Sequence, residues 1–271
     1  MYGIGKAALM PIHKWLPSAM VAPTPVSALL HAVAVVKAGV FSVLKIIVYV
    51  FGIDILASAG TADWLLYIAG FTIIVASLIA LQQDNLKKRL AYSTISQLSY
   101  VILGAAILAP ISAVGAALHI AAHAFGKITL FFAAGSIYTA AHKTEISQLD
   151  GIGRRMPWTM GAFAIGAISM IGVPPAAGFL SKWYMLLGAF NTEQFIAVGI
   201  IILSTLLNAA YFVPIIYRAF FKAEKNADDE HKHGEAPWPI VVALTLTASL
   251  TILLFLFHQI PLELAHQMIG R

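Results

Sequence analysis

Residues 117–132 read ALHIAAHAFGKITLFF, a run apolar enough for a bilayer interior that nevertheless carries two imidazoles and an ammonium. His119, His123 and Lys127 stand at i, i+4 and i+8. On a helix they share one face, stacked over roughly 12 Å of its axis. The surrounding apolar stretch, 115–141, exceeds the ~20 residues that a helix needs to cross the hydrocarbon. Stretches 25–52, 63–82, 91–109, 159–190, 195–217 and 238–258 share this character, and 1–20 reads as another, interrupted by Pro11 and Pro17. Alternation of period two is absent, which argues against a membrane β-barrel. The pattern predicts an all-α fold: a polytopic transmembrane helix bundle with proline-broken helices.

Composition agrees. Hydrophobic residues make up 60% of the 271 positions and charged residues 11%, against about 25% charged in a soluble domain. Cysteine is absent, which excludes disulfides, thiolate zinc sites and cysteine-ligated iron–sulfur clusters in this chain. No strand pattern with a Gly-rich dinucleotide fingerprint is present, and GIGK near the start is followed by Ala7 where a P-loop requires Ser or Thr. Neither a cofactor nor catalytic chemistry is expected. The opening MYGIGKAALMPIHKWLP lacks the parts of a signal peptide and reads as entry into a larger membrane domain. Three segments follow: a transmembrane domain at 1–220, a polar linker at 221–237, and a last helix and tail at 238–271.

Loop charge alternates. Lys87, Lys88 and Arg89 lie in one connection, Lys143, Arg154 and Arg155 in another, and Arg218, Lys222, Lys225 and Lys232 in a third. The loops between them, 53–62, 110–114 and 191–194, carry no Lys or Arg. The positive-inside rule makes the basic loops cytoplasmic and puts the C-terminus on the opposite side. In the linker, Asp228, Asp229, His231 and His233 could ligate a metal, but nothing preorganises them, and a solvated linker is the preferred reading.

All twelve acids fall in loops or at span ends, whereas Lys6, Lys37, Lys45, Lys127 and Lys182 lie within apolar stretches. A charge at mid-bilayer costs about 2.5–3.5 kcal/mol on insertion scales, so such residues face a bundle interior or a hydrated cavity. Lys45 can instead snorkel along its stem to an interface. Lys127 is too central for that. Imidazole exchanges protons near neutral pH, and an ammonium deprived of water has an accessible neutral form. His119, His123 and Lys127 therefore form a candidate proton ladder, with His31 on the helix of Lys37. Two other readings compete: histidines bonded to helix carbonyls, and a metal on the His119/His123 face. No acid or thiolate lies within a span to complete a metal shell. Pro174 and Pro175 interrupt 159–190, with Gly178 easing the bend and Lys182 two turns on; Pro11 near Lys6 repeats the pattern.

The runs GKAALMPIHKWLPSAMVAPTPVSALLHAVAVVKAGVF, LKKRLAYSTISQLSY, HIAAHAFGKITLFFAAGSI and GVPPAAGFLSKW, in that order, closely resemble the antiporter-like subunits shared by Mrp-type cation/proton antiporters and respiratory complex I. The resemblance covers residues 3 to about 220, and the motifs are most similar to D-type subunits of Mrp assemblies. It implies an inverted-repeat helical fold, of which this chain carries the C-terminal part. It also implies a proton-translocating subunit of a multisubunit Na⁺ or K⁺/H⁺ antiporter, in the bacterial plasma membrane, with other membrane subunits as partners. By the same resemblance Lys6, His31, His119, His123, Lys127 and Lys182 match the family's buried proton path, Lys37 less closely. Tyr92, Ser93 and Ser96 fall in its AYST-S signature, read as packing and cavity polarity. Family members are about twice as long, and their N-terminal half supplies a glutamate that pairs with the lysine matched by Lys6. Three competing functions remain: the same module in an NADH:quinone oxidoreductase-like complex, a non-transporting structural fragment, and an intramembrane metal enzyme using His119 and His123.

Overall fold

The computed structural model describes residues 2–224 and 234–270, with side chains from residue 5 onward. The linker residues Asp228, Asp229, His231 and His233 lie outside this range. Two short helices, α1 (Tyr2–Ala7) and α2 (Trp15–Ser18), flank Pro11, where the first apolar stretch is broken; Pro17, also expected to interrupt it, lies instead within the first turn of α2, where its missing N–H needs no helical partner. Next come α3 (Thr24–Ala28), a π-helical turn at Leu29–Val33, α4 (Val35–Lys45) and a second π-helical turn at Ile46–Phe51. Together they make one membrane-length rod, Thr24–Phe51. His31 sits inside the first π turn, where the Ala34 N–H reaches back five residues to the Leu29 carbonyl at 3.0 Å.

Residues 53–62, expected as loop, contain the short helix α5 (Ile53–Ala59). Helix α6 (Asp63–Gln82) carries Asp63 in its first turn, where the macrodipole favours an anion. Asn85 then caps α7 (Leu86–Ala106), its side chain accepting from the Lys88 N–H at 3.1 Å. Helix α8 (Pro110–Ala141) has 32 residues, about 48 Å of rise. Its start corrects a second loop assignment: 110–114 is the first turn, because proline at N1 lacks only an N–H that would have no helical partner.

After the short α9 (Ile152–Arg155), the stretch 159–190 becomes two helices of 15 residues, α10 (Pro157–Ile171) and α11 (Ala177–Asn191). Gly172 leaves α10 at φ 87°, and Pro174 and Pro175 fill the break. Helices α12 (Phe195–Phe221), α13 (Trp238–Leu256) and α14 (Gln259–Met268) complete the described chain.

Thr24–Phe51, α6, α8, α12 and α13 are long and apolar enough to cross a membrane. Helix α7 is as long but far more polar, and it lies at the centre. Ser93, Thr94, Ser96, Gln97, Ser99 and Tyr100 are all fully buried there. Their polarity is met internally: Thr94 and Ser99 hydroxyls donate to carbonyls one turn back, and Ser96 bonds Ser77 of α6 at 2.9 Å. Helix α8 packs on α7, α10, α11 and α13. Its crossing with α11 depends on small residues. A β-carbon on Gly115 would stand 2.8 Å from the Met185 nitrogen, and one on Gly188 2.5 Å from Ser112 Cβ. Large apolar side chains such as Trp64, Phe71 and Leu206 point outward.

Basic connections converge at one end of the bundle. There the Leu86 N–H bonds the Thr144 carbonyl (2.9 Å) and the Gly151 N–H the Arg218 carbonyl (3.0 Å), while Arg155 pairs with Glu224 at 2.8 Å. At the other end Ala265 of α14 packs on Val114 and Leu118 near the start of α8.

Candidate functional site

Lys127, midway along α8, is fully buried. Its ammonium nitrogen donates to Ser93 Oγ at 2.8 Å and to the Leu90 carbonyl at 3.1 Å, both on α7, and lies 5.7 Å from the centre of the Phe212 ring. Lys37 reaches across from α4 to the Ile120 carbonyl of α8 at 2.8 Å. Lys182, on α11, donates to the Met170 and Ile171 carbonyls, each at 2.9 Å. Those oxygens are the last of α10, freed by the break, and they carry the negative end of its dipole. The break thus seats a buried cation without a carboxylate. Lys182 also stands 4.7 Å from the Tyr100 ring centre.

Between these lysines lie the histidines. The Ser181 hydroxyl donates to the Gly178 carbonyl (2.9 Å), so at 2.8 Å it accepts from His119 Nδ1, which fixes the proton on that nitrogen. The His119 ring is 5.6 Å from Tyr100 and 6.2 Å from His123. His31 packs against Phe131 at 5.2 Å. Among the described residues, neither nitrogen of His123 has a hydrogen-bond partner, whereas the His31 ring lies by the Leu16 backbone and the His119 ring by that of Gln97. His123 therefore keeps an open proton-accepting nitrogen in the core, where unpaired polar groups are rare.

Of the residues read from sequence, His31, Lys37, His119, His123, Lys127 and Lys182 come together in the core. Lys6 does not: its side chain is exposed on α1. Lys45 is exposed too, its nitrogen 6.0 Å from the Phe41 and Tyr49 rings, as snorkelling requires. No third His, Asp or Glu joins His119 and His123 in a metal-binding group among the described residues. Sequence reading misses Gln97, Tyr100, Asn208 and Tyr211. The signal is present: Ser204, Asn208 and Tyr211 recur at i, i+4 and i+7 of the apolar stretch 195–217, marking its inward face.

The model of one protein family, NADH:quinone oxidoreductase/Mrp antiporter, TM, matches residues 3–208. The chain belongs to this family. It is 38% identical over 256 residues to NADH-quinone oxidoreductase subunit N of Desulforudis audaxviator, covering 92% of this chain and 50% of that one. It is 30% identical over 266 residues to the D-type subunit of the Na⁺/H⁺ antiporter of Alkalihalophilus pseudofirmus, covering 97% and 53%. The chain spans about half the length of these curated relatives. In fold it is similar to a chain of the Mrp complex from Dietzia sp. DQ12-45-1b, with TM-score 0.90, 19% identity, and coverage of 99% and 57%. It is also similar to a chain of an archaeal membrane-bound sulfane sulfur reductase, with TM-score 0.86, 27% identity, and coverage of 98% and 54%. The all-α, proline-broken membrane bundle expected from sequence is the observed fold, and the family is the one its motifs resemble.

Proposed function

We propose that this family member translocates protons as a membrane subunit of a multisubunit Na⁺ or K⁺/H⁺ antiporter. The observation that carries the reading is the seating of Lys37, Lys127 and Lys182. Each is at most 7% exposed and bonded to carbonyl or hydroxyl oxygens. The described ion pairs all lie at the basic end, away from these lysines. An ammonium withdrawn from water without a counter-ion is costly, and shedding its proton removes the cost. Carbonyl and hydroxyl oxygens accept from the neutral amine as well as from the cation, so both states are housed. His31, His119 and His123 supply exchangeable nitrogens between them. Exposed Lys6 joins this path only through contacts beyond the described ones.

The test is proton flux in proteoliposomes holding the assembled complex, read by a pH-sensitive dye. Lys127→Ala is expected to abolish quenching, and Lys182→Ala to cut it severely, whereas Lys45→Ala keeps it. Normal quenching by Lys127→Ala removes the basis of the proposal.

The 38% identity with an NADH-quinone oxidoreductase subunit favours a second reading, in which the same path serves a redox-driven pump. A Na⁺ or K⁺ gradient that drives proton movement without NADH supports the antiporter; strict dependence on NADH oxidation supports the pump. We further propose that the basic loops face the cytoplasm of a bacterial plasma membrane, with the C-terminus on the opposite side.

A further inference from the structure

Lys127 and Lys182 are joined by groups that the lysine and histidine file does not use. From Ser93 Oγ, which accepts from Lys127, the Tyr211 hydroxyl is 3.0 Å away, and that same hydroxyl also reaches Asn208 Oδ1. Asn208 Nδ2 lies 3.4 Å from the Met170 carbonyl, the oxygen that takes Lys182 at 2.9 Å and Gln97 Nε2 at 3.1 Å. Ser93, Gln97, Asn208 and Tyr211 are fully buried, so water does not compete from bulk.

Counting hydrogens gives this chain a direction. Tyr211 has one hydroxyl hydrogen and faces two acceptors; Ser93 also has one. The contact geometry has the Tyr211 hydroxyl as donor toward both Ser93 and Asn208; while Lys127 is an ammonium donating to Ser93, the relay has Ser93 turn its own hydrogen toward the Tyr211 oxygen, so that Tyr211 gives its single hydrogen to Asn208. Once Lys127 is a neutral amine its lone pair can accept from Ser93. Tyr211 then turns its hydrogen to Ser93, and Asn208 Oδ1 loses that donor. The amide that touches the seat of Lys182 is therefore held in one state of Lys127 and released in the other.

We infer that Tyr211 and Asn208 are positioning residues, a two-state hydroxyl–amide relay that couples the protonation of Lys127 to that of Lys182. The inference rests on the proton-translocating reading above. No proton crosses the amide: hydroxyl hydrogens rotate, and each lysine exchanges its proton with its own side of the path. Coupling of this kind needs an element with two arrangements that both sites bias, and the Tyr211 hydroxyl is that element.

Tyr211→Phe removes only the hydroxyl and keeps the ring, which packs 4.7 Å from Phe212. Asn208→Leu removes the amide at similar volume. In the assembled complex each is expected to lower dye-read proton flux about tenfold, the scale of one lost buried hydrogen bond near a charge. Because both cut the same chain, the double variant is expected to fall no lower than either single one. Ser93→Ala is expected to match them, and Ser93→Thr, which restores a hydroxyl, to recover most of the flux. Residues with merely structural roles would give losses that multiply and no hydroxyl-specific rescue, and that result overturns the relay. Wild-type flux in Tyr211→Phe and Asn208→Leu beside a dead Lys127→Ala overturns the relay alone. Wild-type flux in Lys127→Ala as well overturns the reading beneath it. If Tyr211→Phe fails to assemble, the Ser93 pair and Asn208→Leu carry the same comparison.

Discussion

A β-carbon added at Gly178 would stand 1.8 Å from the Ser169 carbonyl oxygen, so α10 and α11 can meet only where the second helix carries hydrogen at that point. Gly178→Ala is therefore expected to push the two half-helices apart, and with them the Met170 and Ile171 carbonyls from Lys182. The obstacle is backbone, which has no rotamer to yield, so the cost belongs with overpacking, at least about 1–3 kcal/mol. A lowered melting temperature of the purified complex together with lost proton flux is the expected pair of results; full stability and full flux would show that the break tolerates a side chain. Gly161, with nothing within 4 Å of its added β-carbon, is the matched control, and Gly161→Ala is expected to change neither. Sequence is informative at this scale where chemistry clashes with its surroundings. Lys37, Lys127 and Lys182 are legible because an ammonium in an apolar run needs a reason. Asn208 and Tyr211 are less so, because an amide or a phenol in a membrane helix is common, and only the contact with Ser93 gives it meaning.

Helix α7 shows why hydropathy reads some elements and not others. It lies at the centre of the bundle, and eighteen of its residues are buried, so its serines, threonine and glutamine face other helices rather than lipid. The apolar stretch 91–109 identifies it, but its basic first turn, Leu86 to Leu90, reads as loop from charge alone. Arg89 is 9% exposed and explains the difference. Its guanidinium donates to the Gln83 carbonyl at 2.8 Å, to Leu81 at 3.2 Å and to the Tyr211 carbonyl at 3.0 Å. One fork therefore caps the end of α6 and ties it to α12. Arg89→Met keeps the stem and removes the charged donor from all three oxygens. Hydrogen bonds from a charged donor contribute about 1.5–3 kcal/mol each, so a clear drop in thermal stability is expected, only partly restored by Arg89→Lys, which lacks the planar fork. Unchanged melting of Arg89→Met would show that solvent replaces the cap. The α8 start is hidden for a related reason: Pro110 reads as a breaker, and whether proline ends or begins a helix depends on the turn before it.

Across the whole molecule, the paths of three helices fix which ends lie together. Helix α8 begins beside α14, where Val114 and Leu118 meet Ala265, and ends at His142, next to the basic connections. Helix α13 starts where Glu235 accepts from the Trp158 N–H at 2.7 Å and the Thr159 hydroxyl at 2.6 Å, and it leads away to α14. The C-terminal helix therefore lies at the opposite end from Lys88, Lys143, Arg155 and Lys222. Charge counting anticipates this separation because lysine and arginine positions need no packing information; which end is cytoplasmic is our proposal, from the positive-inside rule. The absence of cysteine makes it directly measurable, since any thiol introduced is the only one in the chain. Ala223 and Gln267 are exposed, one at each end. In intact cells a membrane-impermeant maleimide is expected to label Gln267→Cys and to spare Ala223→Cys, and permeabilisation is expected to expose both. The reverse pattern in intact cells would invert the bundle in the membrane. Labelling of both would mean that one of the two ends is not separated from the other by a bilayer, and the membrane-spanning arrangement of α8 and α13 would fall with it.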